Sequence, residues 1–163
     1  MTAGYPIVEQ IAQAVETRLR NVVAPTYQQT ISVKRPTRMG DNWTPENNLV
    51  VLLQGDAQRT PDVEAERYPE LYGWTQEFLI QLFTIPSESD STPIEQLANV
   101  TVADIITAIT TPAATWHTWG NLAILSDIAD VSMELSPDGS WHVSQITLAV
   151  TYRTPFNDPY TAA

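Results

Sequence analysis

The chain has 163 residues, 43% of them hydrophobic and none of them cysteine, with a formal charge of −11. That length suffices for one domain with its own core, 1–163, and the missing thiols exclude disulfides, thiolate metal sites and a Cys nucleophile. The charge excludes an ordinary phosphate-neutralising nucleic-acid binder: residues 86–163 carry nine acids against one base, Arg153 (net −8), and residues 1–85 ten against seven (net −3).

Residues 7–22 read as an amphipathic helix, because Ile7, Ile11, Val15, Leu19 and Val22 recur at helical spacing and Pro25 follows. Residues 27–38 alternate, with Tyr27, Ile31 and Val33 on one face, and predict a half-buried strand ended by Pro36. Lys34, Arg35 and Arg38 are the one tight basic group, expected as a solvated strand end. After the turn-rich MGDNWTPENN, Leu49 to Leu53 is an uninterrupted apolar strand, suited to cover on both faces or to a partner subunit.

Residues 54–71 hold Gly55, Pro61 and Pro69, five acids and no apolar period, and are expected to form a long loop. Residues 72–85 return to β character, with Trp74, Phe78, Ile80 and Leu82 facing one way and Leu79, Phe83 and Ile85 the other. A second helix follows, with Thr92 expected as N-cap, Pro93 at its first position and Glu95 three residues after the cap. A second start signal, Thr101-x-x-Asp104, raises a break near Thr101.

Trp116-His117-Thr118-Trp119-Gly120 is expected to be irregular. Val131, Met133 and Leu135 then share one strand face, and Ser136-Pro137-Asp138-Gly139 is a hairpin turn. The last strand places Ile146, Leu148, Val150 and Tyr152 on the core side. An extended tail, 154–163, completes the chain. Consecutive strands with helices set apart predict an α+β fold, a mainly antiparallel four- to five-stranded sheet packed by two helices.

Chemistry-bearing patterns are sparse. The six glycines are scattered, so no phosphate loop exists, and His117 and His142 stand in no metal-binding spacing. His142, on a strand beside a turn, is expected at a solvated edge, and His117 on a surface turn between two indoles. Asp62, Glu64 and Glu66 with Tyr68 read as a solvated acidic loop rather than the paired carboxylates of glycoside hydrolysis. Neither an enzyme, a cofactor nor a metal is expected. The missing membrane-length apolar run and the lack of a leader pattern in MTAGYPIVEQ give the expectation of assembly inside a cell, without a membrane.

The order of elements, the segment "WGNLAILSDIADVSMEL" and the ending "ITLAVTYRTPFNDPY" resemble the small tail-terminator and tail-completion proteins of long-tailed bacteriophages. The residues that carry the resemblance are Gly120, Leu122, Ala123, Tyr152, Arg153, Thr154, Asp158 and Pro159. The resemblance implies a homo-oligomeric ring, usually of six subunits, at the tail–neck junction of a virion assembled in the host cytoplasm. Such a ring caps the tail tube, meets the head-side connector and lets DNA pass through its lumen without specific binding. A neck or head-closure protein of the same virion is the close alternative, and an acidic, DNA-mimicking inhibitor a more distant one.

For a ring subunit the candidate interface residues are Arg153, Phe156, Asp158, Pro159 and Tyr160 in the tail. Asp62, Glu64, Glu66 and Tyr68 in the loop, and Trp116 and Trp119, complete the set. Pro155 is expected to end the last strand and to project the tail beyond the sheet, so that its removal leaves the fold intact.

Overall fold

In α1 (Ile7–Arg20), Ile7, Ile11, Val15 and Leu19 are all buried, so the helical stripe read from the sequence is the face that packs. The computed structural model describes residues 4–36, 44–60, 71–155 and 157–163. Four further strands and one further helix follow β1 (Ser32–Lys34): β2 (Leu49–Thr60), β3 (Leu71–Thr84), α2 (Ile94–Ile109), β4 (Leu125–Leu135) and β5 (His142–Pro155). A 3₁₀ turn, Trp116–Thr118, stands between α2 and β4.

The class is α+β, with two helices and one five-stranded sheet in the order β1-β2-β3-β5-β4. The sheet is mixed: β1 runs parallel to β2, and every other pair is antiparallel. Cross-strand partners share a face. Val50, Leu52, Phe78, Ile80, Leu82, Ile146, Leu148 and Val150 therefore form one apolar face, which the stripes of α1 and α2 cover. The opposite face carries a smaller cluster of Leu49, Val51 and Phe83, flanked by Leu53, Trp141 and Val143. The apolar run from Leu49 to Leu53 thus has cover on both sides.

Several boundaries differ from the sequence expectation. Only Ser32–Lys34 of the 27–38 stretch pairs as a strand; residues 24–29 form turns and bends, and Ile31 and Val33 still point into the core. Residues 54–60, expected as loop, continue β2. A register shift between Gln54 and Ala57 accommodates them. The buried Gln76 side chain stabilises that bulge, its amide donating to the carbonyls of Gly55 (2.9 Å), Asp56 (3.3 Å) and Glu77 (2.8 Å). A Cβ on Gly55 would lie 3.2 Å from Glu77 Cβ, so glycine suits the close approach. Residues 61–70 lie outside the described residues.

α2 begins one residue later than expected. Pro93 is the N-cap and Thr92 lies outside, because the extended backbone of Pro93 precedes the first helical residue, Ile94. There is no break at Thr101. Its hydroxyl bonds back to the Leu97 carbonyl at 3.1 Å, and Asp104 accepts the Gln29 amide at 2.8 Å, tying α2 to the segment before β1. The start signal in the sequence is a tertiary contact.

Within the basic group Lys34 is exposed as expected, whereas Arg35 is paired and partly buried. Arg35 forms a two-pronged pair with Glu9, both contacts at 2.9 Å, with Glu16 at 3.6 Å. The Arg35 hydrogen bond holds the Glu9 carboxyl below the usual carboxylate range. Lys34 lies 3.6 Å from Glu46, and Arg38 is outside the described residues. His142 is buried rather than at an edge, because β5 is flanked by β3 and β4 along that stretch.

The β4–β5 turn is as read: the Asp138 carboxylate accepts Ser136 Oγ (2.7 Å), Ser140 Oγ (2.7 Å) and the Ser140 amide (3.0 Å). Those bonds pull its pKa down from 3.8 to about 2. A depressed folded-state pKa contributes stability that is present above about pH 3.8 and lost as pH falls through about 2. Asp138→Asn should therefore flatten the fall in thermal midpoint between pH 4 and pH 2, measured against wild type. An unchanged acid limb would show that the turn carboxylate does not contribute.

Candidate functional site

Two regions bring the singled-out residues together. The first is the joint between α1, α2 and the 3₁₀ turn. Trp119, Gly120 and Asn121 all have positive φ (50°, 71° and 72°), and this left-handed run turns the chain sharply toward β4. For a bulky residue such as tryptophan that backbone is strained, and burial offsets the strain: Trp119 is only 3% exposed. Its indole Nε1 donates to Ser126 Oγ at 2.8 Å, and Ser126 Oγ donates onward to the His117 carbonyl at 3.0 Å. The Arg18 guanidinium lies 4.0 Å from the Trp119 ring centroid. It also donates to the carbonyls of Ile109 and Trp116. Burial pushes the Arg18 pKa down from its ordinary value.

Trp116 is half-buried against the same core, and its ring meets His117 edge-on at 6.4 Å. Trp119 is thus enclosed within its own chain, and of the two indoles only Trp116 keeps an accessible part. Leu122 and Ala123 also pack against this core. The sequence marked the tryptophans but not Arg18 or Ser126. No local signal marks Arg18, because the carbonyls it reaches, of Ile109 and Trp116, belong to segments distant along the chain.

The second region is the tail. β5 continues through Pro155, which pairs with Leu71. β4 reaches only as far as Thr151 on the other side, so the proline sits where the strand has one neighbour and tolerates the missing N–H. The chain then folds back rather than projecting away. The Asp158 amide donates to the Pro155 carbonyl at 3.1 Å, the Asp158 carboxylate accepts the Tyr160 amide at 3.0 Å, and the Ala163 amide donates to the Arg153 carbonyl at 3.2 Å. Hydrogen bonds, from Thr161 first, hold the Asp158 carboxyl below its usual range.

The decisive contact is Ile7 N to the Pro159 carbonyl, 2.9 Å. The N-cap of α1 is Pro6, which offers no capping side chain, so the tail supplies the acceptor for a first-turn amide. Ala162 packs on the core, whereas Tyr160 remains 50% exposed. Between the tail, the start of α1 and the sheet lies a cleft of about 350 Å³, lined by Pro6, Trp74, Gln76, Tyr152, Pro155 and Pro159 among others. Phe156, Asp62, Glu64, Glu66 and Tyr68 lie outside the described residues.

The tail is thus held against its own chain rather than projected beyond the sheet. Deleting residues 156–163 should cost about 1–2 kcal/mol, the range for a lost cap and hydrogen bond, read as a lower urea midpoint. An unchanged midpoint would mean the fold-back adds nothing.

A third feature was visible only as a row in the sequence. Val131, Met133 and Leu135 pair with Ile146, Ser144 and His142 and so share the helix-bearing face. They are nevertheless 37%, 44% and 45% exposed. α2 packs on β3 and β5, and Ile128 of β4 still packs on the core they share, whereas the 131–135 end of β4 lies beyond it. Leu125, on the other face of β4, is also exposed.

Among the described residues no group of three His, Asp or Glu side chains is placed to hold a metal ion, and no helix is long and apolar enough to cross a membrane. No protein-family model matches the chain, and no curated protein matches it.

Proposed function

We propose that the protein is a structural subunit that works by assembling with copies of itself. The observation that carries this reading is β4, an eleven-residue edge strand bearing four exposed apolar side chains, Leu125, Val131, Met133 and Leu135. Exposed apolar surface on a long sheet edge is costly to leave in water and prone to pairing, so a partner surface is its natural cover.

Within that class, the particular reading is a tail terminator of a long-tailed bacteriophage: a ring, six-fold in the expected form, that caps the tail tube and joins it to the head-side connector. The sequence ending from Tyr152 to Pro159 and the "WGNLA" segment support it by resemblance. The acidic second half suits a lumen along which DNA slides, because like charge does not retain phosphate.

The test is light scattering of the purified protein, followed by negative-stain imaging with tail tubes. The expected result is a defined oligomer, or a monomer that assembles at one end of the tubes. A strict monomer that ignores tubes and connector, or one that instead forms a salt-sensitive complex with a basic protein, would overturn the reading. Label found on the connector rather than the tube end would reassign the subunit to the neck.

A further inference from the structure

The two edges of this sheet are unequal and complementary. On one side β4 has no strand beyond it among the described residues. Natural edges are blunted by charged side chains, proline, β-bulges or short length, and on β4 three carboxylates and one bulge work against pairing with its own kind. β4 has eleven residues, neither Lys nor Pro, and a single irregularity between Ile128 and Asp130. On the other side β1 covers only Leu49, Val50 and Val51 of β2. Residues 52–60 of β2 therefore have no paired strand on their outer side among the described residues, with Arg35 and Pro36 beside the first of them.

We propose that β4 of one copy docks antiparallel along residues 52–60 of β2 in the next copy, joining their sheets. This rests on the self-assembling reading above and says how the assembly is made. Three observations favour that occupant. First, the charges differ. β4 carries Asp127, Asp130 and Glu134 with no base, so two β4 edges face to face would set three carboxylates against three. The open stretch of β2 instead holds one acid and one base, Asp56 and Arg59, and β1 adds Lys34.

Second, the shapes match on one side of the sheet. Val131, Met133 and Leu135 stand as a row of knobs on the helix-bearing face of β4. At the opposite edge is a notch of about 140 Å³, lined by Ala12 of α1, by Arg35 and Pro36 after β1, and by residues 52–54 of β2 and Phe78. A copy laid edge to edge with the same face up, and slid along the strands until its β4 clears β1, brings the knobs level with the notch. Third, the direction is right. β2 and β5 both run antiparallel to β3, and β4 runs antiparallel to β5, so β4 meets the next β2 as an antiparallel neighbour. Such a contact uses different surfaces on the two partners, as a closed ring requires.

The chain has no cysteine, so single thiols can be placed without background. Ser132→Cys on β4 and Gln58→Cys on β2 are both exposed and on the same face of the sheet. The two proteins are mixed and treated with a short bis-maleimide, and Met133→Lys is examined beside them by light scattering. The expected results are a Ser132→Cys–Gln58→Cys cross-link in excess of either self-link, and association weakened roughly tenfold or more by Met133→Lys. The lysine protein should retain its far-ultraviolet circular dichroism and move toward the 18.1 kDa monomer. Dominant self-linking of Ser132→Cys would mean a two-fold β4–β4 contact and overturn the proposal. An intact oligomer with neither the mixed link nor sensitivity to Met133→Lys would overturn the edge contact while leaving assembly standing. A wild-type chain that stays monomeric, with and without tail tubes, would overturn both.

Discussion

Trp119→Ala should lower the stability of the isolated subunit by about 3–5 kcal/mol, the range for truncating a fully buried aromatic residue. In a chain of 163 residues that corresponds to a fall in thermal midpoint of roughly 10 °C. Three losses add together. The indole leaves a cavity beneath the 3₁₀ turn, Ser126 loses its donor, and the left-handed backbone at φ 50° keeps its strain without the burial that offset it. Trp119→Phe separates the parts, since it keeps much of the volume and removes only the Nε1 donor. It should cost about 1–2 kcal/mol beyond its lost area, as a broken buried hydrogen bond does. Measurement at a dilution where the protein is monomeric is essential. If Trp119 acted at a subunit interface, the monomer would be unaffected and only association would weaken, and that outcome would overturn the intramolecular role.

Arg18→Met is the second large effect, expected at about 1.5–3 kcal/mol, the range for hydrogen bonds made by a charged donor. Methionine keeps the apolar stem and removes the guanidinium that donates to Ile109 at the end of α2 and to Trp116 in the turn. Arg18→Lys should recover less than half, because a point charge cannot stack on an indole and serve two carbonyls together. In a double-mutant cycle, Arg18 and Trp119 should couple by about 0.5–1 kcal/mol or more through the contact at 4.0 Å. Strict additivity would show that the guanidinium and the ring act independently.

These effects sit in a region the sequence did not present as a unit. The tryptophan pair was visible, but as surface candidates. What moved Trp119 inward is the convergence of the α1 and α2 ends on one turn, and no local pattern records that distance. The resemblance residues behave similarly. Gly120 lies in the left-handed run, Leu122 and Ala123 pack below it, Tyr152 and Thr154 are buried, and Pro159 supplies a helix acceptor. Within the chain these six are part of the packing and the hydrogen bonding of the fold.

The sequence by itself determined the features that depend on period and local chemistry. The helical stripe of α1, the alternate rows of β3 and β5, the Asp138 turn and the α+β class are set by neighbours three or four residues apart, or two, along the chain. Tertiary structure decided the rest. Val131–Met133–Leu135 and Ile146–Leu148–Val150 are alike as sequence rows, yet one is exposed and the other buried, because β5 lies inside the sheet beneath α2 and β4 lies at its edge. Gln54 to Thr60 lacked an apolar period but became strand, because β3 offers a full ladder and Gln76 binds the bulge carbonyls. The tail turned back on hydrogen bonds to its own chain, one of them from the Ile7 amide at a helix start whose Pro6 has no capping side chain, and no local pattern records that meeting.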